Sequence, residues 1–188
     1  MAIASSAHGR SRVGKNIQGA EGPGWASLLA HWSDTGSLPD SKAQTLYEYL
    51  YALSPLKSID LARDGVPASA VEGVAQALDM PLAKVQKALN VPASTLARKI
   101  KSRETLPVDQ SERVIQAMRL IGLAERLVDE YGDPELSQGF DAAKWLGGWI
   151  EEPNPALDMR RPVEFLDTAT GAGLVESLLH KMVSGVYA

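Results

Sequence analysis

Few side chains in this sequence stand where they could make or break a covalent bond. The three histidines, His8, His31 and His180, are scattered, and no two have the spacing of a metal-ligand pair. There is no cysteine, which removes thiolate nucleophiles, disulfides and cysteine metal sites together. No Ser/His/Asp set falls within a motif that builds a nucleophile. The segment Gly9-Arg10-Ser11-Arg12-Val13-Gly14-Lys15-Asn16 approaches a phosphate-binding P-loop, but Asn16 stands where a hydroxyl must hold magnesium, and no strand-like run precedes Gly9. The expectation is a protein that is no enzyme and needs neither metal nor cofactor.

The chemistry that the residues do support is polyanion binding. The net charge of -4 hides a split: residues 1–124 carry 14 Lys and Arg against 11 Asp and Glu, residues 125–188 carry 5 against 12. Between Pro81 and Arg103 lie six basic residues, Lys84, Lys87, Arg98, Lys99, Lys101 and Arg103, and no acid. Polyanion binding depends on a charged face rather than on an average. The acidic remainder would be repelled by the same polyanion and suits another partner.

That block falls on two short helices. Leu82, Val85 and Leu89 mark the buried face of the first, Asn90-Val91-Pro92 is a short joint, and Leu96 and Ile100 face inward from the second. Two helices so joined match a helix-turn-helix, whose second helix enters the major groove. Its outward candidates are Ser94, Thr95, Arg98 and Lys99, with arginine able to fork onto guanine. Lys101, Arg103, Lys84 and Lys87 suit phosphate contacts, which position a protein without reading sequence. The same pattern also fits two core helices with a solvated basic face.

Around this unit the chain predicts an all-α fold. Residues 1–24, with five glycines and three serines, suit a disordered arm. Residues 25–64 form an N-terminal helical extension: one helix from Trp25 to Trp32, and a second, capped by Asp40 or Ser41, carrying Leu46, Tyr47, Leu50, Tyr51 and Leu53 up to Ser54-Pro55. The weak alternation from Leu56 to Leu61 predicts a short extended piece. Helices then follow at Ser69–Leu78, Leu82–Leu89, Ala93–Ile100, Val108–Tyr131 and Leu136–Ile150, separated by proline or glycine breaks. The break Gly132-Asp133-Pro134 coincides with the change of charge sign, so residues 65–132 and 133–188 are predicted as separate domains. No apolar run approaches a membrane span and no signal peptide opens the chain, so the expected location is cytoplasmic, away from the membrane.

The C-terminal end is unusual for a tail. Asp167 or Thr168 is placed to cap a last helix in which Leu174, Val175, Leu178, Leu179, Met182, Val183 and Val186 form a broad apolar stripe. It stays apolar nearly to the final residue, which predicts packing on the chain's own domain or on a partner.

Here the sequence resembles a known family. Trp145-Leu146, Pro153-Asn154-Pro155-Ala156-Leu157, Arg161-Pro162, Leu166-Asp167-Thr168, Gly171, Val175, Leu178-Leu179 and Gly185-Val186-Tyr187-Ala188 look like the toxin-binding domain of Xre/MbcA/ParS-type antitoxins. Leu96-Ala97-Arg98-Lys99 and Leu106-Pro107-Val108-Asp109-Gln110-Ser111-Glu112-Arg113 resemble that family's helix-turn-helix and the start of its linking helix. The likeness covers roughly residues 65–188. It implies a RES-domain toxin, an NAD-consuming enzyme, as protein partner, together with homodimerisation and binding to the protein's own operator DNA. The residues it carries to toxin contact are Arg160, Arg161, Val186, Tyr187 and Ala188. Asp158-Met159 stands where the family usually has a Gly-rich joint, which predicts a differently shaped loop. Ala97-Arg98-Lys99 replaces the more usual paired arginines, so base preference does not carry over. The second reading is a plain helix-turn-helix regulator whose C-terminal domain only dimerises.

Overall fold

The computed structural model describes residue 24 and residues 45–183, except 134 and 136. The near P-loop at Gly9–Asn16, the arm, the Trp25–Trp32 helix, the caps Asp40 and Ser41, and the terminal Val186-Tyr187-Ala188 lie outside the described residues. Eight α-helices run through the rest: α1 (Leu46–Ala52), α2 (Pro55–Asp64), α3 (Ala70–Ala77), α4 (Leu82–Ala88), α5 (Ala93–Lys101), α6 (Val108–Tyr131), α7 (Ala142–Trp149) and α8 (Ala169–Val183). Two 3₁₀ turns, Pro155–Leu157 and Pro162–Phe165, join α7 to α8. The fold is all-α, with only isolated bridges at Pro67–Thr105 and Asn154–Arg160 among the described residues. No helix there is long and apolar enough to cross a membrane.

The long helix α6 organises everything else. Val114, Ile115, Ala117, Met118 and the run Leu120 to Ala124 are all buried. Consecutive buried residues cannot lie on one face of a 3.6-residue helix, so α6 is covered from several sides. It contacts α1, α2, α3, α7 and α8. Helix α1 is pinned to it at three levels. Thr45 caps α1 by accepting from the Glu48 amide at 3.0 Å and donates its hydroxyl proton to Glu125 Oε2 at 2.5 Å. Gly122 lets the backbones meet, since a Cβ there would overlap the Tyr47 carbonyl. Arg119 donates to the carbonyls of Leu50 and Leu53 at 3.0 and 3.3 Å, satisfying the open C-terminal end of α1.

Three boundaries differ from the sequence expectation. Helix α1 begins at Leu46 with Thr45 as its cap. Leu56 to Leu61 is helical rather than extended: Ser54 accepts from the Lys57 amide, and Pro55 takes the first helical position, where its missing N–H costs nothing. The proline that ends one helix therefore starts the next. The helix predicted from Leu136 starts only at Ala142, because Gly139 turns left-handed at φ 81° and Asp141 caps α7 through the Lys144 amide.

The buried side chains of the N-terminal extension, the helix-turn-helix and the C-terminal segment join in one cluster running from Leu46 to Leu179. Val175, Leu178 and Leu179 of α8 are buried in the protein, whereas Leu174, Met182 and Val183 are 41, 42 and 37% exposed. Much of the apolar stripe is thus core. Helix α7 meets the end of α3 at Gly147, where a Cβ would overlap the Leu78 carbonyl, and the contact is closed by Lys144–Asp79 at 2.7 Å.

Glu125 adds a pH dependence. Burial first, then the charges of Glu48, Asp129 and Asp141, outweigh the Thr45 hydrogen bond and push its carboxyl up to about 7 from 4.5. The folded state thus holds a proton that the unfolded chain has released between these values. Its stabilising effect is complete below pH 4.5 and is lost as pH rises to about 7. Thermal melts should show the wild-type chain losing stability across this window relative to Glu125→Gln; parallel curves would refute the assignment.

Candidate DNA-facing unit and toxin-facing turn

Helices α3, α4 and α5 end in the same way. A non-glycine residue follows each in the left-handed conformation: Asp79 (φ 52°), Asn90 (φ 51°) and Arg103 (φ 56°). The next amide then bonds back into the preceding helix, Met80 to Ala75 O at 3.0 Å, Val91 to Gln86 O at 2.8 Å and Glu104 to Lys99 O at 2.8 Å. These are Schellman closures. They turn the chain sharply enough for α5 to follow α4 after Asn90-Val91-Pro92.

The unit is closed at its base by paired backbone. Leu106 N donates to Val66 O at 2.8 Å and Ala68 N to Glu104 O at 3.1 Å. Ser111, fully buried, accepts from Val66 N at 2.9 Å and donates to Leu106 O at 3.1 Å. Arg113 reaches back from α6 to the Leu89 carbonyl at 2.7 Å, satisfying the end of α4. The α4–α5 pair is thereby fixed to the long helix by hydrogen bonds as well as by Val85, Leu89, Val91 and Leu96 in the core.

The predicted DNA-binding residues fall into distinct settings. Ser94, Arg98, Lys101 and Arg103 are exposed and Thr95 is half-buried. Arg98 remains 59% exposed while paired with Glu104 at 2.7 Å. Lys99 does not face outward freely. Its side chain is 14% exposed and donates to Glu104 at 3.1 Å and the Thr105 carbonyl at 2.9 Å. It braces the turn after α5 rather than lying open to a base edge. The bond from Lys99, followed by the charges of Arg98 and Lys99, holds the Glu104 carboxyl below the usual range. On α4, Lys84 and Lys87 are exposed, with Lys84 2.6 Å from Glu151 beyond α7.

The second candidate surface is the turn from Asn154 to Arg161. Asn154 caps the first 3₁₀ turn through the Ala156 amide at 2.9 Å, and its backbone amide donates to Arg160 O at 3.0 Å. Asp158 and Met159 take φ of 53° and 62°, the left-handed region that glycine enters most cheaply. The non-glycine pair thus adopts a glycine-like path here. The turn presents both arginines: Arg160 lies 4.3 Å over the Phe165 ring and 3.5 Å from Glu164, and Arg161 binds Glu164 at 3.0 Å. That last bond leads the causes that lower the Glu164 carboxyl and raise Arg161.

Two family profiles match the sequence. That of the antitoxin Xre-like helix-turn-helix domain covers residues 58–126, and that of the antitoxin Xre/MbcA/ParS C-terminal toxin-binding domain covers residues 132–185. The "Prs ADP-ribosylating antitoxin" of Sphingobium sp. (strain YBL2) is 34% identical over 142 residues, 76% of this chain and 87% of the relative. The chain belongs to the Xre/MbcA/ParS family of antitoxins. "Antitoxin Xre" of Yersinia enterocolitica serotype O:8 / biotype 1B (strain NCTC 13174 / 8081) is 25% identical over 158 residues, 84% of this chain and 90% of the relative. The antitoxin thus combines a helix-turn-helix unit, α4–α5, with a toxin-binding unit that contains the Asn154–Arg161 turn.

Sequence reasoning found the cations of this antitoxin but missed their acids. Glu164 was within reach, three and four residues after Arg161 and Arg160, a spacing at which side chains meet on a turn of helix. Glu104 adjoins the basic block. Glu151 is 67 residues from Lys84, and no local pattern links them. Lys99→Ala should cost about 1–2 kcal/mol of stability through its lost hydrogen bonds, while leaving the salt dependence of DNA binding unchanged. Denaturant unfolding and DNA titrations over a salt series check both parts, and a shallower salt slope would return Lys99 to the DNA face.

Proposed function

We propose that this antitoxin neutralises a RES-domain, NAD-consuming toxin and represses its own operon. Supporting the toxin class is the relative whose name couples an antitoxin to ADP-ribosylation, a modification that draws its ADP-ribosyl group from NAD. The observation that carries the toxin-facing reading is the Asn154–Arg161 turn, which holds Arg160 and Arg161 at 57 and 45% side-chain exposure within the toxin-binding domain. An arginine clamped on one edge by a carboxylate still offers its other donors to a partner. Val186, Tyr187 and Ala188 complete the contact, with Tyr187 supplying the aromatic type favoured at interface centres. The protein acts in the cytoplasm as a homodimer, by binding rather than by catalysis.

On the DNA side, α5 enters the major groove with Ser94, Thr95 and Arg98 toward the bases, and Lys84, Lys87, Lys101 and Arg103 along the backbone. Arg98 must exchange Glu104 for guanine, because in the free protein that bond draws its side chain toward the C-terminal end of α5 and away from the N-terminal part that meets the bases.

Deleting Val186-Tyr187-Ala188 should abolish protection against the co-expressed toxin while leaving the melting temperature and DNA binding intact. Continued protection would remove the terminus from the interface. This deletion is a cleaner test than removing everything from Arg160 onward, which would also take away the buried residues of α8. Arg98→Ala should weaken operator binding by about 1–3 kcal/mol if it forks onto guanine; equal affinity in gel-shift titrations at several salt concentrations would displace α5 from that role.

A further inference from the structure

One carboxylate oxygen is shared by cations from the two functional units. Glu151 Oε2 lies 2.6 Å from Lys84 Nζ on α4 and 3.8 Å from Arg161 Nη1 on the C-terminal turn. The cations are solvent-facing, with side chains 54 and 45% exposed, and the anion between them is 23% exposed. Arg161 is oriented for this by a separate partner: its Nε donates to Glu164 Oε1 at 3.0 Å, leaving Nη1 turned toward Glu151. The group stands in an open cleft of about 660 Å³ that Lys87 and Arg160 also line. One wall of the cleft is α4, the helix that crosses the sugar–phosphate backbone in a docked helix-turn-helix.

We infer that Lys84 and Arg161 together form a seat for a DNA backbone phosphate, and that Glu151 is an internal anion occupying that seat in the free protein. The inference rests on the reading of α4–α5 as the DNA-binding unit. A carboxylate and a phosphodiester are both oxyanions that accept charge-assisted hydrogen bonds, so a site satisfied by one fits the other. Lys87 of α4 lines the same cleft and has no carboxylate partner among the described residues. The cleft's other acids, Glu164 and Asp167, have different roles: Glu164 holds the far edge of Arg161, and no ion pair links Asp167 to either cation of the seat among the described residues.

Two consequences follow. The toxin-binding domain contributes directly to DNA affinity, and Glu151 lowers that affinity because it must be displaced.

The test uses the full-length protein and a duplex carrying the region upstream of its own coding sequence, titrated by fluorescence anisotropy over a salt series. Arg161→Gln should reduce the slope of log affinity against log salt by about 0.9, the loss of one phosphate contact, and Arg161→Lys should restore it. Glu151→Gln should bind severalfold more tightly than wild type at low salt, with the gain shrinking as salt rises. If Lys84→Gln lowers the slope while Arg161→Gln and Glu151→Gln behave as wild type, the C-terminal domain is off the DNA and the inference falls. If Arg161→Gln loses capture of the toxin but keeps the wild-type slope, the cleft belongs to a protein partner, which also overturns it. If Lys84→Gln and Arg98→Ala both leave DNA binding unchanged, the placement of the helix-turn-helix has failed, and the seat with it. Melting curves for Arg161→Lys and Arg161→Gln separate loss of contact from loss of fold.

Discussion

The fold depends on the burial of α6 from several sides. A 24-residue helix with apolar residues on only one face would float on the surface of the molecule. Here Val114 to Ala124 is covered on one side by α1 and α2 and on others by α3, α7 and α8. Because each neighbour needs a place along the same rod, α6 fixes their relative positions. The α1 contact shows how closely that is specified. Thr45 and Glu125 meet at one end, Arg119 and the carbonyls of Leu50 and Leu53 at the other, and Gly122 removes the side chain that would hold the two backbones apart. Each feature acts only if the others set the same register.

The helix-turn-helix is held to that rod by polar bonds more than its sequence suggests. Ser111 is a small residue on the first turns of α6, yet its hydroxyl joins two segments that flank the whole α3–α5 unit. The three left-handed residues that close α3, α4 and α5 are an aspartate, an asparagine and an arginine. Asn and Asp enter that region at modest cost because their short side chains can bond locally. Arg103 has no such help, and the residue bears more strain than its two counterparts. The six-residue closure that follows it recovers a backbone hydrogen bond from Glu104 to Lys99 and brings Glu104 to both Arg98 and Lys99.

Around α4, the end of α5 and the C-terminal turn, charge is arranged as shared carboxylates, in contrast to single pairs such as Lys144–Asp79 and Arg126–Glu130. Glu104 serves two cations at the end of α5, Glu164 serves both arginines of the C-terminal turn, and Glu151 bridges α4 to that turn. Exposed pairs of this kind contribute little to stability singly. Their effect is to hold long side chains in defined places without burying them, which is what a surface awaiting an anionic or protein partner requires. The acidic C-terminal part and the basic middle of the chain therefore meet at an interface of paired charges.

The sequence by itself determined most of the helices, the helix-turn-helix and the family. Periodicity of Val85, Leu89 and Leu96, the prolines at 81, 92 and 107, and the acid-free run from Pro81 to Arg103 are local signals, and local signals survive in a linear reading. Val108–Tyr131 was legible to the residue because proline precedes it and glycine follows it. Leu56–Leu61 was misread because weak alternation outweighed the Ser54-Pro55 start signal, and the beginning of α7 was misplaced because Gly139 and Asp141 interrupt an otherwise helical composition. Only the tertiary structure decided which cations stay exposed. Lys99 and Arg98 are adjacent in the chain, yet one is tied into a turn and the other faces solvent. Likewise Lys84 and Arg161 converge on Glu151 because α7 packs on the end of α3, with Gly147 against Leu78. Such encounters depend on how helices distant in sequence are stacked, and no spacing along the chain encodes them.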